Sequence, residues 1–332
     1  MSPLPKVAWI STTGTIDTLG KDRLDLAFYF DAKAHLTEPQ LRERIPELAE
    51  IADLVVDRVE LSGPAMGGAD FIELQRHAMS AFADPAVAGV VLTRGTNTLE
   101  EIAYFLTLTV RDARPVVLTA AMRPASALSP DGDLNLLSAV RVAGHPASRG
   151  KGALVVMNGQ IFSARDVTKA ITNRVEAFQA RDMGPLGFAD PDGQVVFFHE
   201  TTRAHTVASE FDVANLSSLP RVDIVMSYIE ADGTAIDAFV AAGARGIVTA
   251  GKGSGQMSRA EDEALDRARK SGVVIVQASR VGSGRVMRGP QLRKRDVVAA
   301  GNLQPWKAKI LLALALTITD DTTRVQQMFD RY

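Results

Sequence analysis

Short runs of β-branched and other apolar residues alternate with longer amphipathic segments along the N-terminal half of the chain. The short runs predict strands at Val7–Ser11, Leu54–Leu61, Val87–Thr93, Pro115–Ala121 and Ala153–Met157. The amphipathic segments predict helices at Glu38–Ala52, Asp70–Ala83, Thr98–Val110 and Asn135–Ala143. Such strand–helix alternation is typical of an α/β fold with a mainly parallel sheet covered by helices on both faces.

The alternation of predicted strands and helices ends near Phe178. Two turn clusters, Gly184-Pro-Leu-Gly187 and Asp190-Pro-Asp-Gly193, precede the apolar run Val195–Phe198, a pattern that predicts a hairpin closing the first domain. Residues 200–220 are polar and show little periodicity, which indicates an interdomain linker. We therefore predict a larger N-terminal domain over residues 1–199, in which the parallel sheet lies.

A second alternating unit follows and predicts a smaller C-terminal α/β domain over residues 221–332. Its strands are expected at Val222–Ser227, Gly246–Ala250 and Val273–Ala278, and its helices at Thr234–Ala242, Arg259–Lys270, Gln304–Ile318 and Thr322–Phe329. The run Ile310–Leu316 is apolar on most faces of its helix, so we expect it to be buried between layers or at a subunit interface.

Composition excludes several classes of protein. The 37 basic and 39 acidic residues give a net charge of −2, without the basic excess of a nucleic-acid-binding protein. Apolar runs are too short to span a membrane, and the N-terminus lacks the pattern of a secretory signal, so we expect a cytoplasmic protein. With no cysteine and five histidines that lack metal-ligand spacing, we predict no metal site.

Threonines directly after two predicted parallel strands are the first candidates for chemistry. Thr12-Thr-Gly-Thr-Ile16 follows the first strand, and Thr93-Arg-Gly-Thr-Asn-Thr98 follows the third. Ligands of open α/β sheets bind beyond the carboxyl ends of the strands, and glycine N–H groups such as that of Gly95 can stabilise an oxyanion. A threonine hydroxyl needs a base to act as a nucleophile, and Lys169 is a candidate. Taken alone, each of these residues could equally cap a helix, fill a turn or lie in solvent.

The chain resembles the bacterial-type L-asparaginase/glutaminase amidohydrolases over essentially its full length. The two threonine segments resemble the family signatures Thr-Gly-Gly-Thr-Ile and Thr-His-Gly-Thr-Asp-Thr. Further motifs follow in family order: Ala121-Met-Arg-Pro124, Ser129-Pro-Asp-Gly132, Asn135-Leu-Leu-Ser-Ala-Val140, Arg165-Asp-Val-Thr-Lys169, Gly184-Pro-Leu-Gly187, Gly251-Lys-Gly-Ser-Gly255 and Ser279-Arg-Val281. Their joint order and spacing carry the resemblance.

The resemblance implies an asparaginase-like fold of two α/β domains, no cofactor, and a homotetramer built from intimate dimers. It implies that Thr12 attacks the carboxamide carbon with help from Tyr29, a tyrosine on a loop near the site. Thr96 and Lys169 would form a second hydroxyl–amine pair that orients or activates the attacking group or water. Ammonia then leaves, and the acyl-enzyme is hydrolysed.

Departures from the family pattern fall on positions that hold the substrate. The acid of the second signature, which usually binds the α-ammonium group, is Asn97. The Ser-Gln pair that binds the α-carboxylate and the α-amino group appears as Gly63-Pro64, and the asparagine of the C-terminal glycine-rich turn appears as Ser254. Two further positions carry Thr13 for a glycine and Arg94 for a histidine. After Ser279-Arg-Val281 the expected acid is missing, and the segment carries Arg285, Arg288, Arg293, Lys294 and Arg295 instead.

These departures predict an amidohydrolase whose small amide substrate has no free α-ammonium group, because an unpaired buried ammonium is unfavourable by several kcal/mol. An N-acylated or N-carbamoylated amide, a cyclic imide or a ureide-like compound would fit. Three alternatives stay open at this point. They are an L-asparaginase of weak or broad specificity, a non-catalytic metabolite-binding protein, and an amidohydrolase subunit that passes ammonia to a transferase.

Overall fold

A computed structural model of the chain describes residues 3–62 and 66–332. The chain divides into two compact units, one up to Glu210 and one over Phe211–Tyr332. The division falls within residues 200–220, the segment predicted as a linker. Part of that segment is not an exposed linker, since Phe211 and Val213 at the start of the second unit are buried.

The first unit contains an eight-stranded sheet whose centre is parallel. In spatial order its strands are β12 (Val195–Phe197), β11 (Gly187–Ala189), β8 (Gln160–Ser163), β7 (Ala153–Met157), β6 (Val116–Thr119), β5 (Val87–Thr93), β1 (Lys6–Ser11) and β4 (Asp53–Arg58). The strands from β4 to β7 pair in parallel, while β7, β8, β11 and β12 pair antiparallel. The predicted parallel sheet and the closing hairpin are both present.

Helices cover this sheet and place the loops at its edge. They are α1 (Glu38–Arg44), α2 (Leu48–Ile51), α3 (Gly68–Phe82), α4 (Leu99–Thr109) and α5 (Gly132–Gly144). Side chains alternate across β1: Val7 and Trp9 belong to the cluster that includes residues of α1, α2 and α5, whereas Ala8 and Ile10 are buried on the opposite side. The sheet is therefore buried on both faces.

One predicted helix is wrong in its length. The segment Glu38–Ala52 forms two helices, α1 and α2, instead of one. Pro46 explains the break, because the residue before a proline is disfavoured in the α conformation, and Ile45 has φ −127° and ψ 67°. Two small hairpins complete the unit: β2 (Thr18–Leu19) with β3 (Ala34–His35), and β9 (Thr168–Lys169) with β10 (Phe178–Gln179).

The second unit is a parallel four-stranded sheet with helices against it. Its strands are β13 (Val222–Met226), β14 (Gly246–Gly251), β15 (Val274–Ser279) and β16 (Val298–Ala299), in that spatial order. Its helices are α6 (Thr234–Ala241), α7 (Arg259–Lys270), α8 (Pro290–Lys294), α9 (Pro305–Ala315) and α10 (Thr322–Arg331). Phe211 and Tyr332, the two ends of the unit, stack with ring centroids 5.1 Å apart.

Helix α9 contains the apolar run Ile310–Leu316, and every residue of the run is buried within the single chain. The helix packs on β13, β14 and β15. Its apolar surface is therefore buried inside the C-terminal unit and gives no argument for a subunit interface. None of the helices in the described part of the chain is long and apolar enough to cross a membrane.

Candidate active site

The loops after β1 and β5 meet at one edge of the first sheet. The two strands are parallel neighbours, with Ser11 beside Thr93 at their carboxyl ends. A Cβ atom on Gly14 would lie 2.7 Å from the backbone nitrogen of Gly95, so the two loops touch through their backbones. Asp17 fixes the first loop, because its buried carboxylate accepts a 3.1 Å hydrogen bond from the N–H of Gly14. The sequence prediction that both threonine segments share one crevice is thus realised in the fold.

Thr15 and Tyr29 form the first reactive pair of this edge. Their hydroxyl oxygens lie 3.2 Å apart within hydrogen-bonding distance. Tyr29 begins a 3₁₀ turn over Tyr29–Ala32 and is buried, although its neighbours Phe28 and Phe30 are exposed. Burial raises the pKa of the Tyr29 phenol above its ordinary value, and the hydrogen bond with Thr15 partly opposes that shift. Tyr29 therefore stays protonated at neutral pH.

Lys169 organises the second pair. Its ammonium group donates to the Thr96 hydroxyl at 2.8 Å and to the Asn97 side-chain oxygen at 2.9 Å. Burial lowers the pKa of Lys169, and the charge of Glu100 opposes that shift. A lysine of lowered pKa is a better general base near neutral pH than an exposed one, since more of it is the neutral amine.

Glu100 positions this lysine and was not predicted from the sequence. Its buried carboxylate accepts hydrogen bonds from the Lys169 backbone N–H at 2.9 Å and from the Thr168 hydroxyl at 3.2 Å. The only sequence signal was an acid at the start of α4, which reads equally well as a favourable helix-terminus charge. Its contact with β9 links the loop after β5 to the hairpin that carries Lys169.

A single cavity of about 800 Å³ brings both pairs together. Thr15, Tyr29, Thr96 and Lys169 all line it, and so do Gly95 and Asn97. Of the predicted site residues in the first unit, five thus share one cavity: Tyr29, Gly95, Thr96, Asn97 and Lys169. In the described part of the chain, no group of three or more histidine, aspartate or glutamate side chains is placed to hold a metal ion.

Thr12, predicted as the nucleophile, occupies a different place. Its side chain is 1% exposed, and its hydroxyl donates at 2.7 Å to the Thr93 carbonyl, where it ties β1 to β5. It is not among the described residues that line the cavity. The geometry therefore separates Thr12 from Tyr29 and puts Thr15, the third threonine of the same motif, beside it. Residue type did not distinguish the two hydroxyls, because both residues are threonines of one short motif.

Three predicted substrate-binding residues are not among the described residues that line the cavity. Gly63 and Pro64 fall outside the residues that the structure describes. Ser254 belongs to the second unit, in the turn after β14, where its backbone carbonyl accepts a 3.2 Å hydrogen bond from the Gln277 amide. Its role in binding stays a prediction.

Comparison with known proteins gives the family. The model of the asparaginase N-terminal domain matches residues 6–203, and that of the glutaminase/asparaginase C-terminal domain matches residues 221–329. The chain belongs to the asparaginase family. Its membership confirms the resemblance seen in the sequence motifs, the two-domain α/β fold, and an amidohydrolase that acts on carbon–nitrogen bonds other than peptide bonds.

Relatives of this asparaginase-family chain match it over nearly its whole length. It is 40% identical to L-asparaginase 2 of Bacillus subtilis over 99% of this chain and 87% of that protein. It is 39% identical to the glutaminase-asparaginase of Pseudomonas fluorescens over 99% of this chain and 91% of that protein. The crystal structure of a probable cytoplasmic L-asparaginase from Campylobacter jejuni matches with a TM-score of 0.93 at 36% identity, covering 98% of this chain and 99% of that one.

Proposed function

We propose that this protein hydrolyses the carboxamide of a small molecule, with Thr15 as the nucleophile and an acyl-enzyme as the intermediate. The observation that carries the proposal is the presence of two hydroxyl-centred pairs, Thr15 with Tyr29 and Thr96 with Lys169, in one cavity. Thr15 takes the role first expected of Thr12, since the Thr12 hydroxyl donates its hydrogen bond to the Thr93 carbonyl.

In the first step the Thr15 oxygen attacks the amide carbon, and the carbon–nitrogen bond breaks. Tyr29 accepts the proton of Thr15 while passing its own proton to the leaving nitrogen, so that ammonia departs and the phenol ends unchanged. A protonated phenol suits this relay, because it can donate to the leaving group without having to ionise. The N–H of Gly95 is the proposed donor to the developing oxyanion.

In the second step water hydrolyses the acyl-enzyme. The neutral amine of Lys169, acting through the Thr96 hydroxyl, takes a proton from the water whose oxygen attacks the ester carbon. The proton returns to the Thr15 oxygen as it leaves, and the acid product is released. Glu100 acts on this step only through its hold on the backbone of Lys169.

The substrate is proposed to lack a free α-ammonium group. The lining contains the basic side chains of Arg94 and Lys169, and no aspartate or glutamate is among the described residues of the lining. Asn97 supports this argument, since its side-chain oxygen already accepts a hydrogen bond from Lys169 and its NH₂ group offers two donors to a ligand. An NH₂ group suits a carbonyl oxygen, such as that of an N-acyl or N-carbamoyl group, and not an ammonium.

Ammonia release from L-asparagine and N-acetyl-L-asparagine tests this proposal. For the wild type we expect kcat/KM to favour the acetylated amide by about two orders of magnitude, the cost of an unpaired charge. Asn97→Asp should narrow the gap by restoring an anion. A wild type that prefers free L-asparagine would contradict the proposal.

L-Asparaginase or glutaminase-asparaginase activity is the second candidate, and the names of the relatives favour it. The same two substrates distinguish it. A non-catalytic binding protein is excluded as soon as purified protein releases ammonia from either amide, and release without any added partner also contradicts a transferase subunit.

Assembly and location are proposed from the relatives rather than from the chain. We propose a homotetramer of paired dimers, as the family resemblance implies. We also propose a cytoplasmic location, which the description of the Campylobacter jejuni structure supports. A relative from Haemophilus influenzae is described as periplasmic, so localisation by fractionation is the direct test.

A further inference from the structure

Arg94 is a charged side chain of the cavity for which the proposed reaction has no use. It follows β5 directly, and its backbone N–H donates to the Thr119 carbonyl at 3.2 Å, which fixes where the side chain starts. The side chain is half-buried and lines the cavity. One terminal nitrogen donates to the Met66 sulfur at 3.4 Å, and sulfur is a weak acceptor. The buried Nε atom has no hydrogen-bond partner among the described residues.

No carboxylate of the described chain neutralises this guanidinium. Asp70 is the acid whose charge acts on it, but the Asp70 oxygens accept from the backbone N–H groups of Ser62 and Gly67, both at 2.8 Å, at the start of α3. Burial lowers the pKa of Arg94, with Asp70 opposing, yet arginine keeps its charge in proteins. A half-buried guanidinium that lines the cavity is thus left without a carboxylate partner among the described residues.

Lys169 cannot take the place of Arg94 as an anion site. Its ammonium group already donates to Thr96 and Asn97, which fixes it within the catalytic set. Arg94, by contrast, presents a planar fork of N–H donors, the geometry that binds a carboxylate through two parallel hydrogen bonds.

We infer that Arg94 binds a carboxylate of the substrate, which makes the substrate an N-blocked amide that is also a monoanion. This inference rests on the proposed function and narrows it: neutral amides are excluded as preferred substrates, while N-acyl or N-carbamoyl derivatives of asparagine remain. Arg94 is a specificity-determining residue in this scheme, and it holds the carboxylate while Thr15 attacks the amide.

Two substrates that differ in one group test the inference. N-acetyl-L-asparagine carries the carboxylate, and 3-acetamidopropanamide has hydrogen in its place. For the wild type we expect kcat/KM to favour the first by about 30-fold or more, and Arg94→Met to bring the ratio close to one, mainly through KM. Arg94→Lys should retain part of the preference, because an ammonium can pair with a carboxylate but not through a fork.

Arg111→Met is the matched control. Arg111 is an exposed arginine just beyond the far end of α4, and the substitution removes the same charge without touching the cavity. It should keep the wild-type substrate ratio. An Arg94→Met enzyme that keeps the wild-type ratio overturns the inference, even if ammonia release is robust and the proposed function stands.

Binding without turnover separates the two claims. In a Thr15→Ala background, calorimetry should detect binding of N-acetyl-L-asparagine. Adding Arg94→Met should raise the Kd of this amide by about 30-fold or more relative to any change in the Kd of 3-acetamidopropanamide. If the wild type releases no ammonia from either amide but this binding difference holds, the proposed reaction fails and the carboxylate site stands. Equal binding of both amides to the two variants overturns the carboxylate site.

Discussion

At the scale of single residues, hydroxyl groups of the same motif have different tasks because of their burial. Thr12 is enclosed between β1 and β5 and satisfies a backbone carbonyl, whereas Thr15, beyond Gly14, reaches the cavity and Tyr29. Residue type and motif position did not separate them, since each is a threonine next to a glycine-containing turn. The separation depends on the direction of the chain after β1.

Thr15→Ala should therefore abolish turnover. Loss of the attacking hydroxyl removes the covalent route, which corresponds to a drop in kcat of more than about 10³-fold when a catalytic unit is broken. Thermal unfolding should be nearly unchanged, and ammonia release from N-acetyl-L-asparagine measures the activity.

Thr12→Val is the matched comparison for that variant. It should retain most of the activity and lower the free energy of unfolding by about 1 kcal/mol, the typical loss for one buried hydrogen bond. The reverse result, an active Thr15→Ala protein and a dead but folded Thr12→Val protein, would return the nucleophile to Thr12.

Lys169 predicts a pH dependence with a defined sign. Its pKa lies below the ordinary value of 10.5 because of burial, so the neutral amine forms at lower pH than for an exposed lysine. As the amine is the active form in the second step, kcat should rise with pH up to that lowered pKa. Lys169→Met should lose this rise together with about 10²–10⁴-fold in rate. Tyr29→Phe should be slower but keep the rise, and a pH-independent wild type would exclude Lys169 as the base.

At the scale of elements, the site depends on two loops that meet without side chains between them. The parallel pairing of β1 with β5 brings the loops to one edge, and the contact of Gly14 with the Arg94–Gly95 backbone holds them together. Hairpin β9–β10 then places Lys169 beside the second loop, and Glu100 of α4 holds the hairpin there by accepting a hydrogen bond from the Lys169 backbone N–H. Each element contributes one group, so the geometry of the cavity is set by backbone packing.

Gly14→Ala tests this dependence. The new Cβ atom would lie 2.7 Å from the Gly95 nitrogen and 2.8 Å from the Arg94 carbonyl carbon, and backbone atoms cannot rotate away. We expect a loss of about 1–3 kcal/mol in stability from overpacking, with a large loss of activity as the loops separate. Gly289→Ala is the control, because nothing lies within 4 Å of its Cβ position and it should leave both quantities unchanged. Normal activity in Gly14→Ala would show that the loop contact does not set the site.

At the scale of the whole molecule, each unit has its own sheet and its own core. The buried α9 helix shows that the C-terminal unit satisfies its most apolar segment internally. Exposed apolar side chains do occur around Tyr29, where Leu24 and Phe28 are each 76% exposed, and in the second unit at Ile229, which is 86% exposed. Surfaces of this kind are consistent with association between copies of the chain.

The homotetramer proposed from the family resemblance is expected to persist in dilute buffer. Multi-angle light scattering of the wild type should give four times the mass of one chain, and dilution should lower specific activity only where the tetramer dissociates. A fully active monomer at working concentration would contradict the proposal.

The sequence by itself determined the order and type of most elements, because apolar periodicity reports burial and turn residues report chain reversal. Strands β5 and β7 have their predicted bounds, and the motif order placed the chain in its family. The family resemblance of those motifs also pointed to Tyr29, Thr96, Asn97 and Lys169, which line one cavity in the structure. Pro46 was also a sequence signal for the break between α1 and α2, but the long amphipathic pattern around it favoured one helix.

Only the tertiary structure decided which hydroxyl meets the cavity, which acid holds Lys169, and whether the apolar run Ile310–Leu316 is buried within the chain. These are questions of direction and distance between segments far apart in the chain, and local pattern carries no information about them. Glu100 and Lys169 are brought together by the pairing of a loop, a helix start and a hairpin, and Thr12 and Thr15 are separated by the turn at Gly14. Which threonine hydroxyl lines the cavity is thus set by where two backbones touch, a property that residue types alone do not specify.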